Sequence, residues 1–252
     1  MTTQQNDPIP AKSTVEEIRA RFDADVERFS NLETGQSATM DAPLVLDLVS
    51  QVAAVTSTQA TAMLDIGCGA GNWTVKLLPV MPMLNEVTLV DLSQPMLDRA
   101  KQRVQQCHTN TAHNTPLPIE TQHGDIRAIE LGTNRFDVVV AAAVLHHLRT
   151  EAEWSAVFSR IHAAMRPSGV FFVSDLLESA IPAVEQVMRA RYASHLENLG
   201  GPAMIEKVFA YIEKEDTQRP ILWQIDKLRE AGFRQFDILH KHGPFGAYIA
   251  MK

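Results

Sequence analysis

The sequence predicts an α/β fold, a largely parallel sheet with helices on both faces and additional helices before and within it. Three observations carry this. From residue 61, short apolar runs alternate with helical patterns, the rhythm of βαβ units. One run, MLDIGCGAGNWT, stops abruptly in glycines at alternate positions, Gly67, Gly69 and Gly71. Two further stretches, 13–60 and 183–213, carry helical patterns with no strand between them.

The elements follow in order. Residues 1–12 are polar and read as a loose tail. Ser13, with Glu16 three positions on, has the form of a capping box, and Val15, Ile18, Phe22, Val26 and Phe29 then recur at helical spacing. Asp41 before Pro43 marks the start of a second, mostly buried helix, LVLDLVSQVAAV. AMLDIG, VTLVDL, IETQHGDI, FDVVVAA and VFFVSDL are the strands of the alternating part. TVKLLPVM, PMLDRAKQRVQQC and EAEWSAVFSRIHAAM lie between them as helices, the last closed by the stop signals of MRPSG. Residues 108–118 read as a surface loop. Residues 183–213 form two helical stretches separated by Gly200-Gly201-Pro202. RPILWQIDKLREAGF is a further helix, and FDILHK and FGAYIAMK, joined by the turn-like HGP, are two last strands. The domain reading is a tail at 1–12, a helical lid at 13–60, and a main domain at 61–252 with the insert at 183–213.

Composition limits the function. The chain has 252 residues and a formal net charge of −7, and no basic cluster shows in the sequence, which weighs against a nucleic-acid partner. Its two cysteines, Cys68 and Cys107, show neither disulfide nor zinc spacing, so no metal is expected. The N-terminus lacks the apolar core of a signal peptide and no apolar run is long enough for a bilayer, so a cytoplasmic, membrane-free protein is expected. A homodimer is left open.

A strand, a glycine turn and a helix within a βαβ unit form the usual cradle for a nucleotide-like ligand. The spacing here is G-x-G-x-G, without the third glycine of dinucleotide sites or the Lys-Ser/Thr of a P-loop. Asp65 beside the turn would repel pyrophosphate and suits a ligand carrying positive charge. Asp91, ending the second strand, is where a carboxylate accepts from ribose hydroxyls. Asp125, after the third strand, could accept from an exocyclic amine.

In order and spacing, LDIGCGAG, LVDLS, GDI, FDVVVAAAVLHHL and MRPSGVFFVSD resemble the class I S-adenosylmethionine (SAM)-dependent methyltransferases, from about Ala62 to Leu176. The resemblance implies a Rossmann-like seven-stranded sheet with its last strand antiparallel, SAM as cofactor, S-adenosylhomocysteine as product and a small-molecule acceptor. It implies that Gly67, Gly69 and Gly71 pack against the methionine part of SAM, with Asp65 near its amino group. Asp91 would bind the ribose, Leu92 and Met96 would flank the adenine, and Asp125 with Ile126 would contact its edge. Ala141 and Ala142 would lie beside the methionine moiety. Serine in MRPSG stands where the family often has a second glycine. The outer segments, 13–60 and 177–232, resemble a narrower set that includes carboxy-SAM synthases and small-molecule methyltransferases. Carboxy-SAM synthases need a basic residue for the added carboxylate; Arg189 and Arg191 lie in the right segment, but YASHLENLGG after them offers no basic residue besides histidine, which favours ordinary methyl transfer.

His146 and His147 follow the fourth strand and Asp175 ends the fifth, so these three are the candidates for a catalytic role. Tyr192 and His195 are candidates to line an acceptor pocket. Cys68 reads as a packing residue. Carboxy-SAM synthesis and non-catalytic SAM binding are the alternative functions.

Overall fold

The computed structural model describes residues 12–31, 35–109 and 116–252. The tail reading for 1–11 and most of the loop reading for 108–118 lie outside them. His108 and Thr109 belong to a helix, because the buried His108 extends that helix's inward face.

Seven strands form one sheet in the order β3-β2-β1-β4-β5-β7-β6. They are β1 Ala62–Ile66, β2 Glu86–Asp91, β3 Ile119–His123, β4 Phe136–Ala142, β5 Met165–Leu176, β6 Gln235–His242 and β7 Phe245–Met251. β1 is parallel to β2 and β4, while β7 runs antiparallel to both β5 and β6. The expected mostly parallel sheet with an antiparallel last strand is therefore the observed one.

Successive strand side chains point to opposite faces, and the core divides accordingly. Met63, Val138, Val140, Val170, Phe172 and Ile249 join one apolar layer, with Val45 and Val49 of α3 (Ala42–Thr56), Trp73 and Leu77 of α4 (Asn72–Leu77) and Leu97 and Val104 of α5 (Gln94–Thr109). Leu64, Ile66, Val139, Phe171, Val173 and Tyr248 join the other, with Trp154, Phe158 and Ile161 of α6 (Glu151–Ala164) and Leu228 of α8 (Ile221–Ala231). Both faces of the sheet are covered.

Strand order reverses between β1 and β4. A crevice opens at such a point beyond the carboxyl ends of the strands, where α/β sheets bind ligands.

Four local expectations need correction. The first helix, α1 (Val15–Ala24), is capped by Thr14 and Glu17, which exchange side-chain and backbone hydrogen bonds; Ser13 and Glu16 do not form the box. Ser13 is buried and its N–H donates to the Lys214 carbonyl at 3.0 Å, fixing it one position outside the helix start. The apolar stripe is also not one helix: it breaks at Asp25, and α2 (Val26–Ser30) continues it. Asp41 stands before α3 at φ 58° without capping it, because its carboxylate bonds His240 at 3.0 Å and His242 at 2.7 Å. Finally, β5 begins at Met165, directly after α6, so MRPSG is an irregular strand start. Met165 is fully buried and pairs with Phe136, drawing the chain into the sheet at once, and Ser168 takes φ 63° to allow it.

The insert is α7, Pro182–Glu215, kinked at Gly200 and Gly201 where the sequence pattern divides it. Tyr192 and Leu196 from its first half form a small separate core with Met40, against which Phe209 and Phe245 pack.

Candidate active site

The glycine turn closes the crevice at β1. All three glycines have positive φ, 63°, 50° and 79°, a region that excludes most side chains. Their surroundings differ. A Cβ on Gly67 would lie 2.6 Å from Val144, and one on Gly71 3.1 Å from Ala100, so packing within the protein accounts for both. Among the described residues, a Cβ on Gly69 would meet nothing within 4 Å. At Gly69, unlike the other two, no packing within the described protein accounts for the glycine.

Two buried acids flank this turn. Asp65 is 1% exposed and accepts the Thr74 hydroxyl at 2.6 Å. Burial pushes its pKa up to about 7, with the Asp91 charge adding to the shift. Asp91 is 9% exposed and accepts the N–H of Gly69 at 2.8 Å and that of Ser93 at 2.9 Å. Burial raises its pKa to about 6 against those bonds. Asp91 thus braces the glycine turn from β2. Ser93 starts α5 by accepting the Met96 N–H at 3.3 Å.

Met96 and Ile126 are buried, Leu92 is half-buried, and the Leu92 carbonyl accepts from His123 Nε2 at 2.8 Å. Asp125 is more committed than its place in the sequence suggests. Arg127 Nε reaches its two oxygens at 3.0 and 2.9 Å, and the Arg127 N–H adds a bond at 2.8 Å. Burial works to raise the Asp125 carboxyl, but Arg127 outweighs it and holds the group below the usual carboxylate range.

Across the crevice, Ala141 is buried at the end of β4 and Ala142 half-buried. Ala143 follows at φ 53°, a left-handed alanine that no sequence signal marks, with its N–H held by the Ser174 carbonyl at 2.8 Å. Val144 then packs on Gly67 and brings the histidine pair beside the turn.

His146 Nδ1 and its backbone N–H both bond the Asp175 carboxylate. Burial opposes charge on His146, but Asp175 and Asp216 override it and push the pKa up to about 9. His147 goes the other way: burial and the neighbouring His146 charge hold it well below the usual histidine range. Its ring packs edge-on to Phe22 of α1 at 6.2 Å, and among the described residues neither ring nitrogen makes a well-formed hydrogen bond, although the Glu215 backbone is near enough to favour its charged form slightly. The structure therefore brings His146, His147 and Asp175 together, and adds a residue the sequence reading missed. Asp216, just beyond α7, is 2% exposed and lies 3.6 Å from a ring nitrogen of each histidine.

Tyr192 and His195 are placed apart in character. Tyr192 is buried in the small core with Met40 and Leu196, whereas His195 is half-buried, stacks on the Tyr192 ring at 6.3 Å and bonds the Ser37 carbonyl at 3.0 Å.

The segment 13–31 covers this side of the crevice. The Asn72 amide, in the helix after the glycine turn, donates to the Phe29 carbonyl at 2.9 Å. Glu27 pairs with Arg99 of α5, and Arg21 pairs with Glu215 at 2.7 Å.

A family model for the methyltransferase domain matches residues 63–169, the span from β1 into β5 that carries the turn, both acids and the histidine pair. Over that span the chain is similar to the methyltransferase domain family. It is 24% identical over 216 residues to a carboxy-S-adenosyl-L-methionine synthase of Hydrogenovibrio crunogenus, covering 82% of this chain and 80% of that one. It is 25% identical over 206 residues to a demethylmenaquinone methyltransferase of Lysinibacillus sphaericus, covering 81% and 79%. Among solved structures, magnesium protoporphyrin IX methyltransferase of Synechocystis PCC 6803, with bound SAH, shares the fold at a TM-score of 0.61. That match has 17% identity and covers 94% of this chain and 99% of the other. Among the described residues, no helix is long and apolar enough to cross a membrane.

Proposed function

We propose that this protein is a SAM-dependent methyltransferase that transfers the sulfonium methyl group of SAM to a nucleophilic atom of a small-molecule acceptor. The observation that carries the reading is the open face of Gly69, braced by Asp91 and set beside the buried Asp65. The residues fit the cofactor: a backbone bare of side chains for close approach, Asp65 for its amino group, and Asp91 for the ribose. SAM brings a methyl group on a positively charged sulfur together with its own leaving group. The work left to the chain is alignment and exclusion of water, and alignment alone can contribute roughly 7–11 kcal/mol.

Of the three catalytic candidates, His147 is uncharged near neutrality, but the burial and neighbouring positive charges that keep it so also oppose its taking up a proton, so it lines the site as a neutral ring. His146, cationic and bound to Asp175, serves instead to position the loop beside it. Phe22 covers His147, so an acceptor reaches it only when the N-terminal helices move. That supports reading 13–31 as a lid.

Carboxy-SAM synthesis is the second reading, motivated by the Hydrogenovibrio relative. The basic residues it would use are otherwise engaged: Arg189 lies over the Phe209 ring at 4.0 Å and Arg191 is 3.2 Å from His242. Methyl transfer is therefore preferred.

Calorimetric titration with SAM tests the binding site. Asp91→Ala should weaken binding at least tenfold, which the loss of about one charge-assisted hydrogen bond is enough to cause. Unchanged affinity in a folded variant removes Asp91 as the ribose anchor. Mass spectrometry of the ligand that co-purifies separates the two reactions: carboxy-SAM would favour the second.

A further inference from the structure

We infer that His146, His147 and Asp216 form a binding site for one borderline divalent cation of the Zn²⁺ type. His146 Nε2 and His147 Nδ1 each lie 3.6 Å from Asp216 Oδ1, and the three ligand atoms all fall within 4.8 Å of one another. At 3.6 Å these are not hydrogen bonds. Adjacent donors around a tetrahedral ion are roughly 3.4 Å apart when each metal bond is about 2.0–2.2 Å. The observed spacing suits a shared central ion better than direct contact.

Two further observations point to a ligand. Among the described residues, Asp216 Oδ1 and both ring nitrogens of His147 are buried without a well-formed hydrogen bond. Leaving such buried groups unsatisfied is costly, and a single cation would satisfy Asp216 Oδ1 and His147 Nδ1 at once. His146 is already oriented as a metal ligand is: Nδ1 is engaged by the Asp175 carboxylate, which aims Nε2 at the gap. A charged His146 pairs with both Asp175 and Asp216, at 3.6 Å from the latter, but that leaves His147 Nδ1, equally close to the same Asp216 oxygen, unexplained. Two imidazoles and one carboxylate select zinc-like first-row ions over magnesium or calcium. Bound there, the ion would tie the end of α7 to the loop after β4. His147 Nε2 would carry the ring proton, and water or an acceptor oxygen would complete the coordination. The sequence reading expected no metal because it looked for ligands close together in the chain, and Asp216 is distant from the histidines.

The inference does not depend on methyl transfer, and its test reads metal alone. Full-length protein without a histidine tag, stripped with a chelator, is titrated with Co²⁺ and followed by its visible absorption. One Co²⁺ per chain should bind with the intense bands of a tetrahedral site and be displaced by Zn²⁺. His147→Gln and Asp216→Asn should each weaken binding at least tenfold, while His242→Gln, at the other histidine pair, should leave it unchanged. The inference falls if the parent binds neither ion, if both site variants bind as tightly as the parent, or if only the His242 variant loses binding. X-ray absorption of the Zn²⁺-loaded parent gives an answer that does not depend on how the variants fold. Two imidazole donors with oxygen support the site, and sulfur donors or an all-oxygen shell overturn it.

Discussion

At the scale of single residues, the site stores protons. Asp65 carries a folded pKa of about 7 against an ordinary value of 3.8, because burial penalises the carboxylate. Between those values the folded chain keeps a proton that the unfolded chain has released, so raising the pH there favours unfolding. The contribution is fully present below pH 3.8 and is lost as the pH rises through about 7. Thermal melting of ligand-free protein should show the parent losing stability relative to Asp65→Asn across that window. A parallel shift of the two curves, with a constant difference, would show that Asp65 does not titrate in this way. The same burial favours a cationic ligand, since a positive charge beside Asp65 stabilises the form that burial penalises.

At the scale of elements, the kink in α7 decides where Asp216 lies. Gly201 has φ 70° and ψ −168°, a conformation essentially restricted to glycine, and its side-chain position is open. The cost of Gly201→Ala is therefore one of backbone strain without a clash, about 1–3 kcal/mol. Chemical denaturation should show that loss, and a helix straightened to avoid it would carry Glu215 and Asp216 away from Arg21 and His146. An alanine variant as stable as the parent would mean that the kink imposes no strain there. This element was readable in the sequence, since Gly-Gly-Pro interrupts the helical pattern. The β5 start was not: MRPSG carries stop signals, and only the partner Phe136 reveals that Met165 is already in the sheet.

For the whole molecule, the question is what the N-terminal helices do for the crevice. They are held by Asn72, Arg99 and Glu215, residues from three separate parts of the main domain, and they cover His147 through Phe22. Deleting residues 1–34 should leave the Asp91 brace and measurable SAM affinity in place. Methyl transfer to an identified acceptor should fall much further than binding, because water exclusion and alignment act on the chemical step. The comparison is made on truncated protein shown to be folded by circular dichroism. Equal turnover at saturating SAM would reduce these helices to a structural role.

The sequence by itself determined the layers of the sheet, the glycine turn, and the acids at the ends of β1 and β2. Each of these follows from local periodicity or from chemistry confined to a few neighbouring positions, as when Met63 and Leu64 take opposite faces. Tertiary structure alone decided which polar groups meet. Asp41 looks like a helix cap and instead joins His240 and His242; Asp125 looks like a free acceptor and is held by Arg127. Asp216 gave no signal until the end of α7 was set beside the loop after β4. The physical reason is that an apolar face repeats with the period of its element, whereas a buried polar side chain takes whatever partner the fold brings within reach, and that partner leaves no period in the chain.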